Sequence, residues 1–250
     1  MEFILPIDFA KFRSTNSTWN SLMLNDPWSV GYVTTLIELI PFVKKEDWED
    51  FYYNSGEERE LHLLELDGNT QKILQDELLI KNNKSTVLQM GYDLKNFNTQ
   101  YGRTKLRLYK KGEILFEAIK NNGFGLTVDE CFECIRFRVI CETWNGVIVR
   151  EHNTIQTLKK QFPNSEFRKV CGEVDYKYAV DYEIYKNGIL KSAIQIKPKS
   201  YTMNAPYIQK ARYANKNKNM AYFNSFNVSV FDVISDSKGI ILNPDVLKNL

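Results

Sequence analysis

A predicted hairpin in the second half of the chain carries residues whose types and spacing could do chemistry. Its first strand holds Asp181, and its second strand ends in Gln195-Ile196-Lys197. Carboxylate, amide and carbonyl oxygens are the ligands that hard divalent cations prefer. Such a set fits the hydrolysis of a phosphodiester, because a bound cation stabilises charge on the phosphate and lowers the pKa of a water.

Each residue of the set has a predicted role. Asp181, the side-chain oxygen of Gln195 and the backbone carbonyl of Ile196 would bind the metal. Lys197 would hold and polarise the attacking water and neutralise developing charge. Taken one at a time, these residues are also what an ordinary exposed strand carries, so the prediction depends on their occurring together.

Whether these side chains meet depends on the turn between the strands. A two-residue turn at 187–188 would put Gln195 and Lys197 on the face opposite to Asp181. A three-residue loop over 186–188, with its glycine in the left-handed conformation, would put Asp181 on their side. Because the chemistry needs the second arrangement, we predict the three-residue loop.

Glu151 is a further candidate, on the helix that precedes the strands. Ile148 and Ile155 share its face, which we expect to be buried against the sheet. A buried carboxylate is costly unless it is paired or binds a metal. Glu151 could therefore bind a metal, or it could form an ordinary salt bridge to a core arginine or lysine, with Arg150 and Arg168 as possible partners.

The distribution of charge says more than its sum, which is only +2 over 250 residues. No acidic residue occurs between Glu183 and Asp232, whereas basic residues are frequent there. A segment of one sign beside a candidate site favours a polyanionic ligand, although a solvated helix face would look the same. The residues that we predict to contact the phosphates of such a ligand are Lys199, Ser200, Tyr201, Lys210, Arg212, Lys216 and Lys218.

Other functional classes receive little support. Cys131 and Cys134 form a C-x-x-C pair, but both lie in an amphipathic helical pattern without a second such pair, which favours buried core thiols over a zinc site. No signal peptide and no apolar run of membrane-spanning length is visible. We therefore expect no membrane partner and a cytoplasmic location.

The periodicity predicts a helical lobe followed by a mixed core. Residues 1–28 look irregular, and a capping box at Thr127 and Glu130 begins a helix that runs to about Trp144. Further helices are predicted at Val30–Val43, Lys45–Tyr53, Glu57–Leu66, Gln71–Ile80, Thr104–Lys120, from about Ile148 to Phe162, and at Ala205–Phe223. Strands are predicted at Phe167–Cys171, Tyr176–Tyr185, Ile189–Lys197, Asn227–Ile234 and, as a short final strand, Gly239–Leu242.

This order predicts an α/β (α+β) fold. The mainly helical lobe would cover residues 1–125, and residues 126–250 would form the core, with a central sheet between helices.

The constellation resembles the PD-(D/E)xK nuclease superfamily. There, an acid on one strand is followed after a hairpin by Glu-x-Lys or Asp-x-Lys, in many branches with a glutamate on the preceding helix. The matched positions here are Glu151, Asp181, Gln195 and Lys197. The resemblance implies a restriction-endonuclease-like core with a central mixed sheet.

Two positions depart from that pattern. Val180 stands where the superfamily has proline, and Gln195 replaces the second acid. Gln-x-Lys variants occur among Mrr-like restriction nucleases, so the departure does not exclude activity. It makes Glu183, Glu173 and Asp175 candidates for an additional acidic ligand.

Longer segments resemble the MjaI family of type II restriction endonucleases. They are Trp48-Glu49-Asp50-Phe51-Tyr52, Gly56-Glu57-Glu58-Arg59, Glu142-Thr143-Trp144-Asn145-Gly146, Arg150-Glu151, Tyr178-Ala179-Val180-Asp181-Tyr182-Glu183 and Gln195-Ile196-Lys197-Pro198-Lys199-Ser200-Tyr201. The resemblance implies a homodimeric enzyme that uses one or two Mg²⁺ per site to cut a short duplex DNA sequence. The helical lobe would then serve dimerisation and recognition.

Two alternatives stay open at this point. One is a structure-specific or modification-dependent nuclease, Mrr-like or resolvase-like, on the same core. The other is a DNA-binding relative that no longer cuts, which Gln195 keeps in consideration.

Overall fold

The computed structural model describes residues 1–24, 32–75, 97, 100–170 and 173–250. They form two compact units, Met1–Trp144 and Asn145–Leu250. The predicted division after residue 125 falls before a helix that belongs to the first unit. Parts of the predicted helices Val30–Val43 and Gln71–Ile80, and Cys171, lie outside the described residues.

The described residues of the first unit form helices. These are α1 (Phe9–Ser14), α2 (Asn16–Ser21), α3 (Tyr32–Glu38), α4 (Lys45–Leu63), α5 (Gly68–Gln75), α6 (Lys105–Ile119), α7 (Val128–Arg136), a π-helical turn (Phe137–Cys141) and α8 (Glu142–Trp144). The predicted capping box is confirmed: the Thr127 side chain accepts from the Glu130 N–H, and the Glu130 carboxylate accepts from the Thr127 N–H.

Two predictions for this unit are wrong. Residues 1–28 are not wholly irregular, because the Asp8 side chain caps α1 and α2 follows directly. The predicted break at Asn54-Ser55-Gly56 does not occur, since α4 continues through it. A Cβ atom at Gly56 would lie 2.3 Å from the backbone carbon of Arg103. Glycine is therefore present for a close backbone approach and not for a turn.

The second unit contains a four-stranded mixed sheet in the order β1-β2-β3-β4. Its elements are a π-helical turn (Asn145–Val149), α9 (Arg150–Gln161), β1 (Ser165–Lys169), α10 (Glu173–Tyr178), β2 (Tyr182–Lys186), β3 (Ile189–Pro198), a 3₁₀ turn (Lys199–Thr202), α11 (Pro206–Phe226), β4 (Val230–Ser235) and a 3₁₀ helix (Pro244–Asn249). Strands β1, β2 and β3 are antiparallel, and β4 is parallel to β3. The predicted α+β fold, a mixed sheet flanked by helices after a helical N-terminal region, is confirmed.

Two strand predictions fail in this unit. The first three residues of the predicted strand Tyr176–Tyr185 belong to helix α10, and the chain turns at Ala179, whose φ is +54°, before β2 begins. Only an isolated bridge between Ser235 and Ile241 forms where a final strand was expected.

Each face of the sheet is covered by one long helix. On one face, Ile155 and Leu158 of α9 pack in a buried cluster with Ile194 and Ile196 of β3. On the other face, Ala193 packs in a second cluster that includes Tyr222 of α11. Since strand residues alternate between faces, Gln195 and Lys197 point to the α11 side.

Hydropathy adds one finding about the helices. Among the residues that the structure describes, none of the helices combines the length and the apolar character needed to cross a bilayer.

Candidate active site

The β2–β3 hairpin closes differently from the prediction. Lys186 pairs with Ile189, so the turn has two residues, Asn187 and Gly188, with φ values of +54° and +73°. Positive φ at both positions is the type I′ geometry that suits the twist of a hairpin. The predicted three-residue loop is therefore wrong.

A β-bulge restores the alignment that the turn alone would have lost. Tyr185 pairs with Leu190, but Ile184 pairs with Ser192, so Lys191 is an extra residue in β3. One extra residue reverses which face every later side chain points to. Beyond the bulge, Glu183 faces Ala193.

Asp181 therefore shares a face with Gln195 and Lys197, as the proposed chemistry requires. Alternation places Asp181 on the side of Glu183, and Ala193, Gln195 and Lys197 follow each other on that side of β3. The contact is direct at the backbone, since the Ile196 N–H donates to Asp181 Oδ2 at 2.6 Å. The Asp181 N–H in turn donates to the Ile194 carbonyl at 2.9 Å.

Neighbouring groups both raise and lower the pKa of Asp181. Burial raises its pKa to about 7, and the negative charges of Glu151 and Asp175 act in the same direction. The Lys197 ammonium and the hydrogen bond from Ile196 oppose that rise. A carboxyl with these neighbours gains from a nearby cation, because a cation would stabilise its ionised form.

The Lys197 ammonium lowers the pKa values of several acids around the site. Burial raises the pKa of Asp175 and of Asp232, and the Lys197 charge counteracts the rise in both. Among the described residues, no carboxylate oxygen lies within ion-pair distance of the Lys197 ammonium. The Lys197 charge therefore acts on the carboxyls of Asp175, Asp181 and Asp232 without forming a close ion pair with any of them.

On the α11 face of the sheet, two buried side-chain oxygens lack a hydrogen-bond partner among the described residues. They are Oε1 of Gln195, a residue that is 4% exposed, and Oδ1 of Asp232. The two residues are partners in the β3–β4 register. The sequence analysis did not select Asp232. The one signal for it in the sequence is that it is the first acidic residue after Glu183 and lies within a predicted strand.

Glu151 lies near this group and forms a salt bridge with a lysine, not with Arg150 or Arg168. Its Oε1 is 2.8 Å from the Lys169 ammonium, and its side chain is 14% exposed. Arg168 is instead paired with Glu166. Although α9 covers the opposite face of the sheet, the Glu151 carboxylate is close enough to raise the pKa of Asp181.

The candidates for an additional acid have different surroundings. Both oxygens of Glu183 accept hydrogen bonds from tyrosines, at 2.6 Å from Tyr222 and 2.8 Å from Tyr185. Glu173 begins α10, but its side chain is not among those described. Asp175 lies on the same helix and interacts with the Lys197 and Lys218 charges.

The residues predicted to contact DNA lie on the 3₁₀ turn and on α11. Lys199, Ser200, Lys210 and Lys216 are exposed, whereas Tyr201, Arg212 and Lys218 are partly buried.

Tyr201 connects the two elements that carry these residues. Its hydroxyl accepts from Asn215 at 3.2 Å, and the charged groups of Lys197 and Arg212 lie 5.6 and 6.0 Å from its ring centroid. Arg212 also donates to the Met203 carbonyl. Tyr201 thus links the end of β3 to α11.

The donor atoms of the site fit a hard divalent cation. In the described part of the chain, no three histidine, cysteine, aspartate or glutamate side chains are grouped closely enough to hold a metal. The set at the hairpin differs in kind, since it combines carboxylates with the amide of Gln195. The unpartnered Gln195 Oε1 is the observation that supports the fit.

Both cysteines of the C-x-x-C pair are buried. Cys131 and Cys134 are buried free thiols on α7, as is Cys141 in the π-helical turn. Burial raises the pKa of Cys131 and of Cys141 to about 12, and it raises that of Cys134 as well. Such thiols stay protonated at neutral pH, as expected of core residues.

Comparison with known proteins identifies a family. The sequence model of the MjaI restriction endonuclease family matches residues 15–231. No curated protein and no solved structure matches the chain. The matched span includes α9, the β2–β3 hairpin, the basic helix and the start of β4. The chain therefore belongs to the MjaI restriction endonuclease family.

Proposed function

We propose that the protein is a type II restriction endonuclease that hydrolyses phosphodiester bonds at a specific sequence of duplex DNA. Family membership supports a nuclease. The observation that carries the proposal is the bulged hairpin, because it puts Asp181 on the face of Gln195 and Lys197 and bonds its carboxylate to the Ile196 N–H. A hairpin without the bulge would separate these groups.

The proposed cofactor is Mg²⁺, one or two ions per site. Asp181, the Gln195 amide oxygen, the Ile196 carbonyl and Glu151 are the residues that would hold it. When bound, the ion would stabilise negative charge on the phosphate and lower the pKa of a water. Gln195 Oε1 suits this task because it is buried and accepts no hydrogen bond from the described residues.

Lys197 has the central role among the chain's own groups. Its ammonium is left without an ion-pair partner among the described carboxylates, so it can donate to the attacking water and to a phosphate oxygen. Water attacks the phosphorus in line, and the bond to the 3′ oxygen breaks. The attacking water releases a proton to the solvent, the departing 3′ oxygen takes up a proton from the solvent, and the products carry 5′-phosphate and 3′-hydroxyl ends.

The basic residues beyond the site would hold the duplex. Lys199, Ser200 and Tyr201 follow the catalytic strand directly and would contact the phosphates next to the cut. Lys210, Arg212, Lys216 and Lys218 on α11 would extend that contact. We further propose that the enzyme acts as a homodimer and that the helical residues 1–125 serve dimerisation and recognition.

A second function is favoured by one residue. Gln195 is uncharged where the superfamily pattern has an acid, and a site with too little negative charge would bind DNA without cutting it. A structure-specific or modification-dependent nuclease would use the same groups on a different DNA. The three functions differ in what they do to an unmethylated duplex.

Incubation with Mg²⁺ and a long unmethylated duplex separates them. Discrete fragments support a restriction endonuclease, cutting of only branched or methylated DNA supports the related nuclease, and binding without cutting supports the inactive relative. Lys197→Ala should lower the cleavage rate by about 10²–10⁴-fold and leave DNA binding largely intact.

The matched control is Lys191→Ala, which removes an exposed lysine from the same strand. This variant should cut like the wild type. Normal cleavage by Lys197→Ala would show that the assignment of the site is wrong.

A further inference from the structure

Two acceptor oxygens without partners lie on neighbouring strands of the same sheet face. Gln195 and Asp232 are direct partners in the parallel β3–β4 register, so their side chains point the same way. Gln195 Oε1 and Asp232 Oδ1 are buried, and neither accepts a hydrogen bond from any described residue. Adjacent strands are about 4.8 Å apart, which places the two groups within reach of one small ligand.

Two buried acceptor oxygens without a donor on one sheet face need an explanation. A buried acceptor without a donor costs about 1–3 kcal/mol, and two acceptor oxygens facing one region also repel each other. A donor or a cation would satisfy both. The positive charge on this face, Lys197, is not within ion-pair distance of Asp232, although it acts on Asp232 electrostatically.

We propose that Asp232 is a ligand of the divalent cation and supplies the carboxylate that Gln195 lacks. The negative charge that the superfamily pattern has on β3 would thus come from the neighbouring strand β4, at the register position of Gln195. Carboxylate plus amide is a hard oxygen set that suits Mg²⁺ or Mn²⁺. This inference rests on the proposed function, and it explains how a Gln-x-Lys site keeps enough negative charge to hold a cation.

Titration of the purified full chain with Mn²⁺ in the absence of DNA tests the role of Asp232. Mutation of a residue that only hydrogen-bonds to a metal ligand typically lowers metal affinity by about 10–100-fold. Loss of a direct ligand should cost at least as much, so Asp232→Asn should weaken Mn²⁺ binding by at least about tenfold. The control is Asp245→Asn, which removes an exposed acid of the same unit and should bind Mn²⁺ like the wild type. Wild-type affinity in Asp232→Asn would overturn the inference.

A second Mn²⁺ titration uses a variant in which the carboxylate is moved from position 232 on β4 to position 195 on β3. The double variant Gln195→Glu with Asp232→Asn should bind Mn²⁺ more tightly than Asp232→Asn alone. Weakening without such a recovery would also overturn the inference, since Asp232 would then not replace an acid at position 195. Thermal unfolding without metal checks folding, and Asp232→Asn should melt no lower than the wild type because it removes an unpaired buried carboxyl.

The outcomes separate this inference from the proposed function. If the wild type cuts DNA with Mg²⁺ while Asp232→Asn binds Mn²⁺ normally, only the role of Asp232 is wrong. If the wild type neither cuts DNA nor binds Mn²⁺, the proposed function is wrong as well.

Discussion

The candidate site residues of the hairpin were predicted from their side-chain types. Asp181, Gln195 and Lys197 were selected because a metal-assisted hydrolysis needs oxygen ligands and a cation close together. The structure puts the three on one face, and their roles stay predictions. Asp232 was not selected, because its relevance depends on β4 lying beside β3, and nothing in the local sequence specifies that neighbour.

Glu183 illustrates how neighbours change a residue's role. As an acid on β2 it was a candidate ligand, yet Tyr222 and Tyr185 donate to its two oxygens. We expect Glu183→Ala to lower the free energy of unfolding by about 1–3 kcal/mol, because the buried Tyr222 hydroxyl loses its acceptor. Mn²⁺ affinity should not change. Urea unfolding and a Mn²⁺ titration measure the two effects.

Glu166→Ala is the matched control for Glu183. Glu166 is an exposed acid on β1 paired with Arg168, and surface pairs contribute about 0–1 kcal/mol. If Glu183→Ala instead kept full stability and lost Mn²⁺ affinity, Glu183 would be a metal ligand after all.

At the scale of elements, the bulge at Lys191 decides the site. A type I′ turn is the natural connection for Asn187-Gly188, but alone it would put Gln195 and Lys197 on the wrong face. The extra residue in β3 corrects this and also directs Ile194 and Ile196 into the core that contains α9. The same feature therefore determines the packing and the chemistry.

Deletion of Lys191 should consequently destabilise the protein and abolish cleavage. Ile194 and Ile196 are buried, and moving each to the other face forfeits about 1.5–3 kcal/mol, so we expect a loss of at least about 3 kcal/mol. Urea unfolding with a cleavage assay measures both. Lys191→Ala, which keeps the backbone of the bulge, should change stability by less than about 0.5 kcal/mol. A deletion variant with wild-type stability and cleavage would show that the bulge is not needed.

At the scale of the whole molecule, the positions of the charged residues are more informative than the net charge. The net charge is only +2, yet every charged residue between Glu183 and Asp232 is basic. Phosphate contacts release counterions, so they make affinity depend on salt. If α11 contacts the duplex, its exposed lysines should contribute to that dependence.

Lys216→Ala should reduce the slope of log affinity against log salt by about 1. Binding to a duplex would be measured by fluorescence anisotropy over a range of salt concentrations, without divalent cations so that no cleavage occurs. Lys248→Ala, which removes an exposed lysine already paired with Asp245, should leave the slope unchanged. An unchanged slope in Lys216→Ala would exclude a phosphate contact at that residue.

The sequence alone determined the class of the fold and the capping box at Thr127, and it predicted Asp181, Gln195 and Lys197 as a candidate site, because these depend on residue type and local spacing. It did not determine the turn, the helix α10 within a predicted strand, or the close approach that requires Gly56. Those features depend on contacts between segments that are distant in sequence. The meeting of Asp181, Gln195 and Lys197 depends on one extra residue in a ladder, and the place of Asp232 depends on which strand lies next to β3. Only the tertiary structure decides both, because register and strand order are set by the packing of the whole sheet.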